Sequence, residues 1–251
     1  MYYCKLCIRN CRKGGRNLLM KQWGSVLEQI KNKLIVSCQA RVGWPMYGAD
    51  IMAAFAAAAQ QGGAAGIRAT GADNIRKIKE RTDLPIIGIN KQFRDDCEVY
   101  ITPTYESARE ILEVGIEIIA LDATPRRRPE GECVEEIIGR IRKNYPEVLI
   151  MGEISTLKEA EEVLPMGVDL VSTTLSGYTR ESQEVQTVNL DLIRGIHFIT
   201  DIPIIAEGKI SSPDEAAEAL EAGAHAVVVG TSITRPEIIT QRYADALQQF
   251  K

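Results

Sequence analysis

A lysine and a glutamate stand near matching ends of a repeated sequence unit. Thr82-Asp83-Leu84-Pro85-Ile86-Ile87-Gly88-Ile89-Asn90-Lys91 parallels Thr200-Asp201-Ile202-Pro203-Ile204-Ile205-Ala206-Glu207-Gly208-Lys209, so Ile89 aligns with Glu207. Side chains in a strand repeat direction every second residue, so Lys91, two places beyond Ile89, shares the facing of Glu207. Two such groups on opposite sides of one carbon could remove a proton from one face and deliver one to the other, inverting that carbon. Each contributes roughly 10²–10⁴-fold by general acid–base catalysis. A lysine is a base only when partly neutral, which burial or the charge of Arg68 would favour. A strand-end surface lysine, and a glutamate ion-paired with Lys209, would leave the same pattern. Lys209 is a reserve candidate for base or phosphate contact.

A second group of residues suits an anion. Ala206-Glu207-Gly208-Lys209 and Val229-Gly230-Thr231-Ser232 place glycines where backbone N–H groups can approach a phosphate. A helix starting after Thr234 would add its positive end and Arg235. Glycines that merely turn the chain, and an arginine solvated at a helix start, are the competing readings.

These side chains need a scaffold that brings distant segments to one mouth. From residue 34 onward, eight apolar runs alternate with helical patterns: Leu34–Gln39, Ala64–Ala69, Pro85–Lys91, Ile118–Thr124, Leu149–Ser155, Asp169–Ser176, Pro203–Ile210 and Ala226–Ile233. Most are apolar on both parities, as parallel strands covered by helices require. A helix-end pattern with i, i+3, i+4, i+7 spacing recurs four times, beginning at Ala56, Ala108, Ala160 and Ala216 and ending at Gly63, Gly115, Gly167 and Gly223. Each glycine is expected to close a helix in the left-handed region. Thr156-x-x-Glu159, Ser212-x-x-Glu215 and Thr234-x-x-Glu237 read as capping boxes. Four quarters of two βα units make an α/β fold of the (β/α)8 TIM-barrel class, of ribulose-phosphate-binding type; an open doubly wound sheet gives no reason for a fourfold repeat. In such a barrel strands 3 and 7 are opposite one another.

With 251 residues, 45% hydrophobic, the chain has the size of one barrel. Its net charge of −4 argues against nucleic acid or an acidic membrane as partner. Residues 1–19 carry five basic and no acidic residues, with Cys4, Cys7 and Cys11 in a C-x2-C-x3-C spacing that lacks an evident fourth metal ligand nearby. We expect residues 1–19 to be a disordered basic extension without the apolar run of a secretory signal, and 20–251 a single (β/α)8 barrel domain. The unpaired Cys38, Cys97 and Cys133 suit a reducing cytoplasm. His197 and His225 are placed away from the mouth, which speaks against metal ligation. Asp122 reads equally as substrate ligand or strand-end cap, Arg126-Arg127-Arg128 as a solvated loop, and Gly177-Tyr178 as a segment that closes over substrate or is simply mobile.

From about Leu34 onward the chain resembles the N-acetylmannosamine-6-phosphate 2-epimerases of bacterial sialic-acid catabolism. The resemblance runs through Ile35-Val36-Ser37-Cys38-Gln39-Ala40, Gly66-Ile67-Arg68-Ala69, Ile101-Thr102-Pro103-Thr104, Val171-Ser172-Thr173-Thr174-Leu175-Ser176-Gly177-Tyr178, Ile205-Ala206-Glu207-Gly208-Lys209-Ile210 and Val228-Val229-Gly230-Thr231-Ser232-Ile233-Thr234-Arg235-Pro236. It implies Lys91 and Glu207 as proton-transfer residues and Gln39 and Arg68 beside the reacting centre. It also implies Gly208, Gly230 and Arg235 around the phosphate and no metal or nucleotide cofactor; Lys209 and Thr231 join the substrate-binding candidates from their place beside those glycines. The implied partner is a small-molecule sugar phosphate, and a homodimer is entertained. Glu153 stands where the family pattern leads us to expect aspartate, and Asn90 and Gln92 where we expect an aliphatic and a basic residue; we count Glu153 among the substrate-binding candidates. A Schiff-base lyase or aldolase acting on a phosphosugar, and a non-catalytic sugar-phosphate sensor, remain the alternatives.

Overall fold

The computed structural model describes residues 24–248 and residue 250; the expected extension over residues 1–19, with its three cysteines, lies outside them. Eight parallel strands close in chain order: β1 (Leu34–Cys38), β2 (Gly66–Thr70), β3 (Ile86–Ile89), β4 (Ile118–Asp122), β5 (Leu149–Glu153), β6 (Leu170–Ser172), β7 (Ile204–Glu207) and β8 (Ala226–Val229), with β1 pairing β8. Helix α1 (residues 24–30) precedes β1. The others are α2 (Ala49–Gln61), α3 (Ala72–Lys79), α4 (Tyr105–Leu112), α5 (Val134–Asn144), α6 (Leu157–Val163), α7 (Leu190–Ile199), α8 (Pro213–Glu221), α9 (Thr231–Thr234) and α10 (Pro236–Gln248).

Strand parity divides the core in two. Ile35, Ile87, Ile89, Leu149, Met151, Ile205 and Val228 fill the barrel interior, with Ile30 of α1 beneath them; Val36, Ile67, Ile86, Ile150, Ile204 and Val227 face outward to the helices. Most strands stop earlier than their apolar runs, because the last residues of each run leave the ladder to line the mouth. The expected sixth strand is cut most, to Leu170–Ser172, and the eighth ends at Val229, with Ile233 in α9.

The repeat is structural as well as sequential. Gly63, Gly115, Gly167 and Gly223 all have positive φ, between 79° and 109°. The twin turns before β3 and β7 use the same bonds: Leu84 N donates to Thr82 Oγ1 and Ile202 N to Thr200 Oγ1, both at 3.1 Å. The Thr156 box forms as expected, and Thr104 makes another with Ser107. At Ser212 the hydroxyl accepts from Glu215 N, whereas the Glu215 carboxylate accepts from Ser211. The expected Thr234 box does not form. Thr234 ends α9 and donates instead to Ser37 O at 2.8 Å, while Glu237 bonds Arg235.

Candidate active site

Parity delivers the chemistry to one mouth. On β2, Ile67 and Ala69 pack outward, so Arg68 points inward, in register with Ser37 of β1 and Ile87 of β3. Lys91 lies two residues past the end of β3, on the side of Ile87 and Ile89, and is held by its backbone N–H on Thr70 Oγ1 and a bridge to Ile101. Glu207 is the last residue of β7, inward like Ile205, with its backbone N–H on Thr173 Oγ1 at 3.1 Å. Both line a single cavity of about 540 Å³ at the C-terminal ends of the strands, a volume in the usual range for a small-molecule site. Since β3 and β7 are four strands apart in a ring of eight, the two groups enter that cavity from opposite walls.

Arg68 ties the carboxylates together. It is buried, its Nη2 bonds Glu153 Oε1, and its Nε lies 3.0 Å from Glu207 Oε2 as an ion pair without hydrogen-bond geometry; Thr174 Oγ1 donates to that same oxygen at 3.1 Å. Burial works against its charge, but Glu153 and Glu207 outweigh this and hold Arg68 above the usual arginine range. Burial, and then Arg68, push Lys91 down to about 8, against the opposing pull of Glu207 and Glu153. Burial raises Glu207 to about 7, with Arg68 opposing and Glu153 reinforcing. An acid and a base that ordinarily titrate far apart are thus brought close together around neutral pH, the condition for efficient proton exchange in either direction.

The β7, β8 and β1 side of the cavity carries the basic side chains of Lys209, Arg235 and Arg41. Gly208, with φ 107°, and Lys209, at 57°, turn the chain sharply after Glu207; the strand-parity argument therefore does not extend to Lys209, which nonetheless lines the cavity with its ammonium over the Tyr178 ring. Gly230 packs so closely on Ser37 that an added Cβ would sit 3.2 Å from the Ser37 Cβ. Thr231, Ser232 and Arg235 line the same wall. The helix directly after β8 is the short α9, which starts at Gly230; the helix expected after Thr234 follows it as α10, from Pro236. Gln39 also reaches the cavity, its Nε2 donating to Ser37 Oγ at 2.6 Å while its Oε1 is buried without a hydrogen-bond partner.

Glu153 departs from expectation. It is fully buried and absent from the cavity wall, lying behind Arg68, with Oε2 lacking a hydrogen-bond partner. Its carboxylate acts on the arginine. Asn90 faces outward, donating to Ser107 O and Glu110 Oε2, so this departure fastens α4 to the end of β3. Asp122 is a strand-end cap: Thr124 N and Oγ1 and Arg126 Nη2 all donate to its carboxylate. The arginine run is correspondingly no solvated loop, for Arg128 is buried and bonds the Asp122 carbonyl, and only Arg127 is exposed. The segment after β6 is pinned through Gly177 N on Ser182 Oγ and Asn189 Nδ2 on Ser176 Oγ. His225 Nε2 meets Leu27 O, and His197 packs against Gly223. Arg41, Trp44, Tyr100 and Thr174 were not anticipated at the cavity; they sit on loops or beyond strand ends, where periodicity carries no signal.

This fold and site define an α/β-barrel enzyme of the acid–base kind, with a flank suited to an anionic ligand. The family model described as NanE, putative N-acetylmannosamine-6-phosphate epimerase, matches residues 52–249. The chain belongs to that family. It is 48% identical over 223 residues to a putative N-acetylmannosamine-6-phosphate 2-epimerase of Clostridium perfringens, covering 89% of this chain and all of the relative. It is 45% identical over 224 residues to one from Caldanaerobacter subterraneus, covering 89% and 94%. A solved structure described as the N-acetylmannosamine-6-phosphate 2-epimerase from C. perfringens superposes with a TM-score of 0.85 at 48% identity, over 88% of this chain and 96% of that one. Thiamine phosphate pyrophosphorylase from Pyrococcus furiosus shares the fold, with a TM-score of 0.55 at 18% identity over 82% and 89% of the two chains.

Proposed function

We propose that the protein is an isomerase that reversibly converts N-acetylmannosamine 6-phosphate to N-acetylglucosamine 6-phosphate by proton transfer at C2, as an N-acylglucosamine-6-phosphate 2-epimerase. The observation that carries this is the entry of Lys91 and Glu207 into one cavity from opposite walls. In the open-chain aldehyde the C1 carbonyl acidifies the C2–H bond. One group takes the C2 proton, the bonding pair moves to the C1 oxygen as an enolate, and the other group returns a proton from the opposite face. Arg68 supports the enolate oxygen: its Nη2 is held by Glu153 and its Nε is ion-paired with Glu207 without a hydrogen bond, while no hydrogen bond is made by its Nη1 among the described residues. Gln39 is the neighbouring polar contact. Gly208, Lys209, Gly230, Thr231 and Arg235 surround the phosphate. We assign the cytoplasm on the free thiols of Cys38, Cys97 and Cys133; among the described residues no helix is long and apolar enough to cross a membrane.

Incubated in deuterated water with either sugar phosphate, the enzyme should yield epimer carrying deuterium at C2, read by proton NMR. Epimer without label would contradict proton transfer with solvent-exchanging groups. A buried lysine of lowered pKa also suits Schiff-base chemistry; borohydride should trap no adduct at Lys91, and a trapped adduct would favour a lyase.

We also infer a homodimer. Helix α10 buries none of its residues, and Tyr243, Leu247 and Phe250 are 72%, 66% and 79% exposed, an apolar face that a second copy would cover.

A further inference from the structure

Trp44 lies in the loop between β1 and α2, far in sequence from the residues assigned to phosphate, yet two guanidinium groups rest on it. Arg235 Cζ is 3.7 Å from the centroid of its ring and Arg41 Cζ is 5.4 Å away. The loop folds into two successive turns, Trp44 N to Arg41 O and Tyr47 N to Trp44 O, both at 3.0 Å, with Gly43 at φ 84°. That places Arg41, Trp44 and Arg235 together on the cavity wall.

The in-plane donors of both arginines are largely uncommitted. Arg235 gives Nε to Glu237 Oε1 at 2.7 Å, and its two terminal nitrogens have no protein partner among the described residues. The guanidinium of Arg41 has no hydrogen bond or ion pair there; it lies over the Phe93 ring at 4.1 Å as well as near Trp44. Stacking occupies the face of a guanidinium and leaves its edge, the part that bonds phosphate oxygens two at a time, turned outward. An isolated surface arginine would spend rotamer entropy on ordering; one laid on an aromatic platform has already lost much of that freedom.

We propose that Arg41 is a further ligand of the substrate's phosphate, and that Trp44 is the positioning residue that aims Arg41 and Arg235 at it. The ligand identity rests on the function proposed above; the geometry of the platform does not. A dianionic phosphate held between backbone N–H groups near Gly208 and Gly230 and two arginine edges would have its charge matched. The ring is part of the grip, although it touches no reacting atom.

The test compares wild type with Trp44→Ala, Trp44→Phe and Arg41→Ala, measuring kcat and KM for the sugar phosphate, the inhibition constant of inorganic phosphate, and the melting temperature. We expect Trp44→Ala and Arg41→Ala each to raise KM and the phosphate inhibition constant together by about fivefold or more, within the range of a desolvated cation–π contact. The kcat should stay within about twofold, and Trp44→Phe, which keeps a platform, should recover most of the loss. Unchanged KM and phosphate inhibition would overturn the proposal, as would a fall in kcat that tracks a lower melting temperature while phosphate binding holds. Calorimetric titration of the same proteins with inorganic phosphate reads the grip without turnover. Weakened phosphate binding in the two alanine variants of a protein that shows no C2 chemistry would uphold the platform and refute the epimerase reading alone.

Discussion

In the proposed reaction Lys91 and Glu207 exchange roles between the two directions, which is feasible only if the proton costs nearly the same on either. With Lys91 lowered to about 8 and Glu207 raised to about 7, the active form carries one proton on the pair. Below the lower value both groups are protonated and no base remains; above the higher value both have lost their protons and no acid remains. The profile of kcat/KM should therefore be a bell between about pH 7 and pH 8. Burial is the main cause of both displacements, but the Glu153 charge raises both groups. Glu153→Gln should shift both limbs to lower pH, as pH–rate profiles of the two proteins would reveal; limbs that stay in place would deny Glu153 this electrostatic role. The meeting of Lys91 and Glu207 in one cavity was legible because parity and a duplicated sequence unit point to it. The role of Glu153 was not, since a carboxylate spent on a buried arginine and one facing substrate have the same sequence signature.

The elements set these groups by close packing, most tightly where β3 meets α4. A Cβ added to Gly88 would lie 2.6 Å from side-chain carbons of both Ile111 and Ile116, so glycine at this position lets the helix approach the strand that precedes Lys91. Gly88→Ala should destabilise the fold by about 1–3 kcal/mol through overpacking, measured by denaturant unfolding; a variant as stable as wild type would mean the helix can withdraw freely. Strand identity and order, and the glycine closures of the four quarters, were visible in alternation and repeat. Strand ends were not, because Thr173 and Thr174 remain β-like in composition after leaving the ladder, and Lys91 keeps the facing of Ile87 and Ile89 beyond the end of β3. Thr234 was misjudged for a related reason: it has the residue pattern of a cap, but its hydroxyl is taken by Ser37 O across the barrel mouth, a contact between residues 197 positions apart.

At the scale of the molecule, a closed ring of eight strands brings residues from both halves of the chain to one opening, where a cavity of about 540 Å³ receives them. The fold class was legible here in full, whereas it was not foreseen that α10 would leave none of its residues fully buried. We propose residues 20–251 as a single folding domain. A chain starting at Met20 should keep the kcat, melting temperature and dimeric mass of the full protein, while the paired changes Tyr243→Lys and Leu247→Lys should lower the mass to that of a monomer by light scattering. A monomeric wild type would remove α10 as a dimer contact. The central claim, that Lys91 and Glu207 face the two sides of one carbon, is tested most directly by C2 hydrogen exchange in deuterated water with each epimer separately, in Lys91→Ala and Glu207→Gln. Each variant should lose interconversion yet keep exchange into one epimer only, the two variants retaining opposite epimers. Exchange into both epimers in either variant, or loss from the same epimer in both, would contradict it.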